Sequence, residues 1–149
     1  MSSARSLRGN RPHLLLAASM VGWRLALPLL RRRLPFERLV RFTASPRTAK
    51  ADSRRVRSIL QVGGRLWRDS SAPCLERSVC IHRQLGRAGA NPVLVLGLAG
   101  DRTGHAWVEL DGTAVLEPSP PQLRFQELMR FGADGSLFTA SDGAGEADV

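Results

Sequence analysis

A cysteine at 74, a histidine at 105 and a glutamate at 117 are the side chains of this protein best suited to covalent chemistry as a set. Ser70, Ser71 and Pro73 precede Cys74 and suit the cap and first turn of a helix, which places the thiol in that first turn. There the helix dipole favours thiolate, and backbone N–H groups without helical partners can hold an oxyanion. His105 heads the apolar segment HAWVEL, and Glu117 ends the segment TAVLE that returns after Asp111-Gly112. A thiol, an imidazole to take its proton and a carboxylate to orient the imidazole are the parts of a cysteine nucleophile. A buried structural cysteine and a histidine satisfied inside a sheet have the same letters, so spacing alone leaves both readings open.

Whether Glu117 meets His105 depends on the hairpin register. A two-residue Asp111-Gly112 loop pairs 110 with 113 and turns Glu117 away from the histidine's face. A three-residue Leu110-Asp111-Gly112 loop with a G1 bulge pairs 109 with 113, and therefore 105 with 117. It also gathers Ala106, Val108, Leu110, Ala114 and Leu116 on one apolar face, so the longer loop is the expected one. Asp111 is the fallback acid, though its place in the turn already accounts for it. Cys80 lies six residues beyond Cys74, about 240° around a helix, and reads as structural. Cys74, Cys80, His82 and His105 have no recognised zinc spacing, and neither metal nor cofactor is expected. Trp107 shares the face of His105, as cleft wall or as core, while Trp67 and Arg68 are candidates for shaping an oxyanion pocket.

The elements that must position these groups follow from pattern. At 149 residues and 43% hydrophobic, the chain suits one modest domain. Cys74, Ser78, Ile81, Leu85 and Ala88 form one stripe of a helix that closes at Gly89. VLVLGLAG, HAWVEL and TAVLE then read as three strands. Before them, Leu14 to Leu34, FERLVRF and TAKADSRRVRSILQV read as helices, the last stopping at Gly63-Gly64. The expectation is an α+β fold with a small antiparallel sheet: a flexible stretch over 1–12, a helical basic region over 13–68, a catalytic core over 69–131 and a disordered acidic tail over 132–149.

Charge is unevenly spread. Met1 to Arg68 holds sixteen basic and two acidic residues, whereas Asp69 to Val149 holds six and eleven. A basic face toward an acidic partner is one reading and a solvated arginine-rich helix surface the other. No basic-aromatic interleaving points to nucleic acid. Leu14 to Leu30 has about the length of a membrane span, but Arg24 and Pro28 interrupt it, so a core-packed helix is preferred and peripheral membrane contact is not favoured. Two cysteines and the lack of a secretory signal suggest a reduced, cytoplasmic protein.

The stretch PCLERSVCIHRQLGRAGANPVLVLGLAGDRTGHAWVELDGTAVLEPSP resembles the core of the transglutaminase-like cysteine proteases of lasso peptide biosynthesis, the B proteins that remove the leader from a ribosomal precursor. LLLAASMVGWRLALPLLRRRLPFERLVR is similar to that family's leading helix and its Leu-Pro-Phe continuation. The resemblance implies a papain-like core, Cys74 as nucleophile, His105 as general base and later acid, and Glu117 as the orienting acid where the family usually has aspartate. It further implies a split form without the precursor-recognition domain. Its partners would be a precursor peptide, a separate small leader-recognition protein and a neighbouring ATP-dependent macrolactam cyclase. Acyl transfer to an amine is the alternative on the same site. A catalytically silent adaptor with a basic docking face is the alternative from another class.

Overall fold

The computed structural model describes residues 11–45, 50–68 and 73–138, so the expected acidic tail from 139 onward and nearly all of the expected loose N-terminus lie outside the described residues. Four helices come first: α1 (Arg11–Arg33), α2 (Phe36–Thr43), α3 (Ser53–Leu66) and α4 (Cys74–Arg87). Pro28 is accommodated inside α1, and the Leu34-Pro35 break separates it from α2. Asp52 caps α3, its carboxylate accepting from the backbone N–H groups of Arg54 and Arg55. Met20 and Leu27 of α1, Leu39 and Val40 of α2, Ile59 of α3, and Val79, Ile81 and Leu85 of α4 meet in one buried core. Arg83 ties three helices together: its guanidinium lies 4.4 Å from the ring of Trp23 in α1, and its Nη1 donates to the Thr43 carbonyl of α2 at 2.9 Å.

Gly63-Gly64 does not end α3, which runs on to Leu66. A Cβ on Gly63 would stand 2.6 Å from Ile81 Cδ1 of α4 and 3.2 Å from Leu116, so the glycine serves close helix packing, not termination. The α1 helix is long and apolar enough to cross a membrane by length and composition. It packs one side against α3 and α4. Its other side leaves Leu14, Leu25 and Leu29 more than 60% exposed.

The sheet has five antiparallel strands, two more than expected, in the order β3-β2-β1-β4-β5. They are β1 (Val93–Leu98), β2 (Gly104–Leu110), β3 (Thr113–Val115), β4 (Gln126–Phe131) and β5 (Leu137–Phe138). The last of these falls inside the stretch expected to be tail. Helices and sheet together make the expected α+β fold. Ala106 and Val108 of β2, Leu94 of β1 and Phe131 of β4 belong to the buried interior, the last three joining the helical core. Val95 and Trp107, paired across β1 and β2, are fully buried on the sheet's other face, since neighbouring positions along a strand point oppositely.

Candidate active site

The hairpin between β2 and β3 has the shorter loop. Leu110 pairs with Thr113, Glu109 with Ala114 and Val108 with Val115, and Asp111 and Gly112 both have positive φ, 50° and 75°, as a type I′ turn requires. The expected three-residue loop is therefore incorrect: Asp-Gly suits the tighter turn, whose twist matches the strands. Ala114 accordingly pairs with Glu109, and Val115 takes the place beside Val108. In uninterrupted strand geometry Glu117 would then point away from His105.

It does not, because β3 ends at Val115. Leu116 adopts φ 59°, a left-handed conformation costly for a branched residue, and this re-aims the chain. His105 Nε2 and Glu117 Oε2 lie 3.0 Å apart. The expected acid reaches the expected imidazole by a turn, not by strand register. With Nε2 engaged by the carboxylate, Nδ1 is the ring nitrogen left for a proton exchange with another group.

Arg77, one helical turn beyond Cys74, donates from Nη2 to the other oxygen of Glu117, so one carboxylate joins α4 to the histidine. The Glu117 side chain is 8% exposed, against 20% for His105 and 21% for Arg77. Ser78 fixes the same helix face, donating to the Ala106 carbonyl at 2.8 Å, directly beside His105 in sequence. Cys74 and Ser78 are spaced i, i+4 and share a face of α4. Cys74 is the helix's first residue and is half-buried. Pro73 is the N-cap itself, without a side-chain cap bond, which keeps a capping side chain off the first-turn N–H groups.

His105 is also held by its ring faces. Phe125 stacks on it at 4.8 Å between centroids, and Trp107 lies at 6.0 Å with planes 20° apart. Trp107 is core, fully buried, and donates from Nε1 to Glu109 Oε1 at 3.0 Å. The same carboxylate accepts from Gln122 Nε2 at 2.7 Å and from Arg130 Nη1 at 3.0 Å. Gln122 sits in the 3-10 turn Pro121–Leu123, so Glu109 anchors both the indole beside His105 and the segment that delivers Phe125. A bulge where β4 meets β1 at Leu96/Gly97 lets Glu127 and Arg130 face each other, two bonds of 2.8 Å that push the Arg130 pKa upward.

The other sequence candidates are placed as follows. Cys80 is buried, and desolvation pushes its thiol up to about 12. His82 is buried with Nε2 2.9 Å from the Gly132 carbonyl, and burial lowers its pKa to about 4. Asp111 is exposed in the turn. Trp67 is a core side chain at the end of α3, and Arg68 is exposed. Arg77, Ser78, Leu116 and Phe125 are the site residues that sequence reasoning missed. Only the i, i+3 and i, i+4 spacing of Arg77 and Ser78 from Cys74 could have suggested two of them.

The sequence model of the transglutaminase-like superfamily matches residues 17–130, from within α1 to within β4. The chain belongs to this superfamily. The match spans most of α1, the other three helices and strands β1 to β4, and the transglutaminase-like domain is of a kind often found in proteins associated with lasso peptide biosynthesis. Neither the curated proteins nor the solved structures gave a match.

Proposed function

We propose that this transglutaminase-like protein is a cytoplasmic cysteine peptidase that removes the leader from a ribosomal precursor peptide during lasso peptide maturation. The observation that carries the reading is the 3.0 Å contact of His105 with Glu117, set beside the helix whose first residue is Cys74. In this mechanism the Cys74 thiolate attacks the carbonyl carbon of the amide that ends the leader. First-turn N–H groups of α4 hold the resulting oxyanion. Imidazolium at His105 protonates the departing amine, and the C–N bond breaks to leave a leader thioester. His105 then takes a proton from water, whose oxygen attacks the thioester and releases the leader as a free acid with the thiol restored. Glu117 keeps the imidazole oriented and stabilises its charged form. A separate leader-recognition protein would present the precursor, and a macrolactam cyclase would consume the product.

The test is digestion of a precursor peptide with the recognition protein present, read by mass spectrometry. Wild type is expected to yield the leader as free acid, with none from Cys74→Ala or His105→Ala. An amine adduct on the leader would establish acyl transfer instead, the reaction that the superfamily membership equally accommodates. Cleavage persisting in Cys74→Ala would overturn the reading.

A further inference from the structure

A cleft of about 580 Å³ opens between the start of α1, the first turn of α3 and the last turn of α4. Its α4 residues, Gln84 and Arg87, lie toward the opposite end of the helix from Cys74, about 15 and about 20 Å along the axis. It is therefore separate from the His105-Glu117 site.

Basic side chains outnumber acidic ones in the cleft's lining. His13 of α1, Arg54 and Arg55 of α3, and Arg87 of α4 all line it. Asp52 is the single carboxylate in the lining, and its Oδ1 accepts the N–H groups of Arg54 and Arg55 as the α3 cap. Among the described residues none of those three arginines forms an ion pair with a carboxylate. At the base, buried Gln84 donates to Ser19 Oγ at 3.0 Å, which directs the serine's own proton elsewhere as a further donor. Leu15 and Leu16 supply an apolar wall, and among the described residues no Phe or Trp lines the cleft.

We infer that this cleft binds an acidic peptide segment carrying apolar side chains among its carboxylates. Arginines from two elements line it, Arg54 and Arg55 of α3 and Arg87 of α4, which rewards several negative charges spaced along a chain. The volume falls within the range of organic ligand sites and far exceeds that of one inorganic anion. A bilayer surface is flat and cannot enter a concavity between helices.

Fluorescence anisotropy of the full chain tests the inference with a short fluorescein-labelled peptide of glutamate, leucine and serine. Its counterpart with glutamine for glutamate and phosphatidylglycerol vesicles serve as comparisons. The glutamate peptide is expected to bind and the glutamine peptide not. Arg55→Gln with Arg87→Gln should weaken binding about tenfold, the effect of losing two exposed charge contacts. Arg31→Gln with Arg32→Gln removes the same charge from exposed positions at the other end of α1 and should leave affinity within about twofold. Arg54→Gln with Arg55→Gln, both exposed on α3, repeats the test should the first pair perturb the far-ultraviolet circular dichroism. Equal loss in the cleft and control pairs, no binding of the glutamate peptide, or binding of vesicles alone would each overturn the inference.

Discussion

Glu117 serves two partners at once. One oxygen meets Arg77 and the other His105, so the carboxylate that would stabilise an imidazolium already faces a permanent cation. The guanidinium reduces the field Glu117 exerts on the ring, yet it also holds a chain that has just left β3 through a left-handed residue. Position outweighs charge for an orienting carboxylate, because the wrong ring orientation defeats the chemistry whatever the field. Glu117→Gln is therefore expected to slow iodoacetamide alkylation of Cys74 at pH 7 by about tenfold, or about 1.4 kcal/mol. Arg77→Met should slow it less, by about threefold. Peptide mass spectrometry reads both, with Cys80 as internal control because burial keeps its thiol protonated. Equal losses would mean that Glu117 orients the ring only while Arg77 holds it, and a double variant slower than either single one would show that Arg77 acts independently of Glu117. All three members of the proposed set were legible as residue types at suggestive positions. The contact between two of them was also expected, but for a register that does not occur. No pattern of apolar and polar letters announces that a leucine at 116 will take φ 59°.

At the scale of elements, α3, α4 and the turn at Leu116 are packed through two adjacent glycines with opposite roles. Gly63 admits Ile81 and Leu116, and any added carbon there meets Ile81 Cδ1 at 2.6 Å. A Cβ on Gly64 would rest 3.5 Å from Leu116 Cδ2, an ordinary contact. Alanine is favoured over glycine inside a helix by about 1 kcal/mol, so Gly64→Ala is expected to raise stability by about that amount. Gly63→Ala gains the same propensity but overpacks the junction, and a net loss of about 1 to 2 kcal/mol is expected. Urea unfolding of the two variants checks the difference, and a stabilising Gly63→Ala would mean that Ile81 yields freely. A pair of glycines after an amphipathic run reads as a stop signal, which is why the sequence places the end of α3 there. Telling a stop from a packing notch requires knowing what lies opposite, and Ile81 and Leu116 are distant in sequence. The stripe on α4 was legible because Ser78, Ile81, Leu85 and Ala88 recur at helical spacing, and all four are buried. The β4 strand was not, since Glu127, Leu128 and Met129 are all exposed and its side chains show no inside-outside alternation.

Across the whole molecule, the helical half and the end of β4 are joined at a histidine that has no part in the proposed chemistry. His82, in the middle of α4, lies with Nε2 2.9 Å from the carbonyl of Gly132, just past β4, and is 1% exposed. As the neutral tautomer with hydrogen on Nε2, the ring donates that bond, and its Nδ1 is buried without a partner among the described residues. Protonating the ring would bury a charge, and desolvation accordingly lowers its pKa from 6.5 to about 4, with the Gly132 carbonyl opposing the shift. The unfolded chain takes up that proton near pH 6.5 and the folded chain only near pH 4, so between these values the unfolded state binds more protons. Stability is therefore full above pH 6.5 and falls as the pH drops toward 4, by about 3 kcal/mol in all. Asp134 and Glu127 are both held below their ordinary carboxyl values, the first by Ser136 and the second by Arg130, so their protonation adds to the loss only at the acid end of the window. Urea midpoints at pH 7 and pH 5 isolate the histidine. Wild type is expected to lose stability between them, while His82→Gln, which can still donate to Gly132, should start lower and change little. Parallel slopes in the two proteins would place the acid sensitivity elsewhere and leave His82 as packing alone.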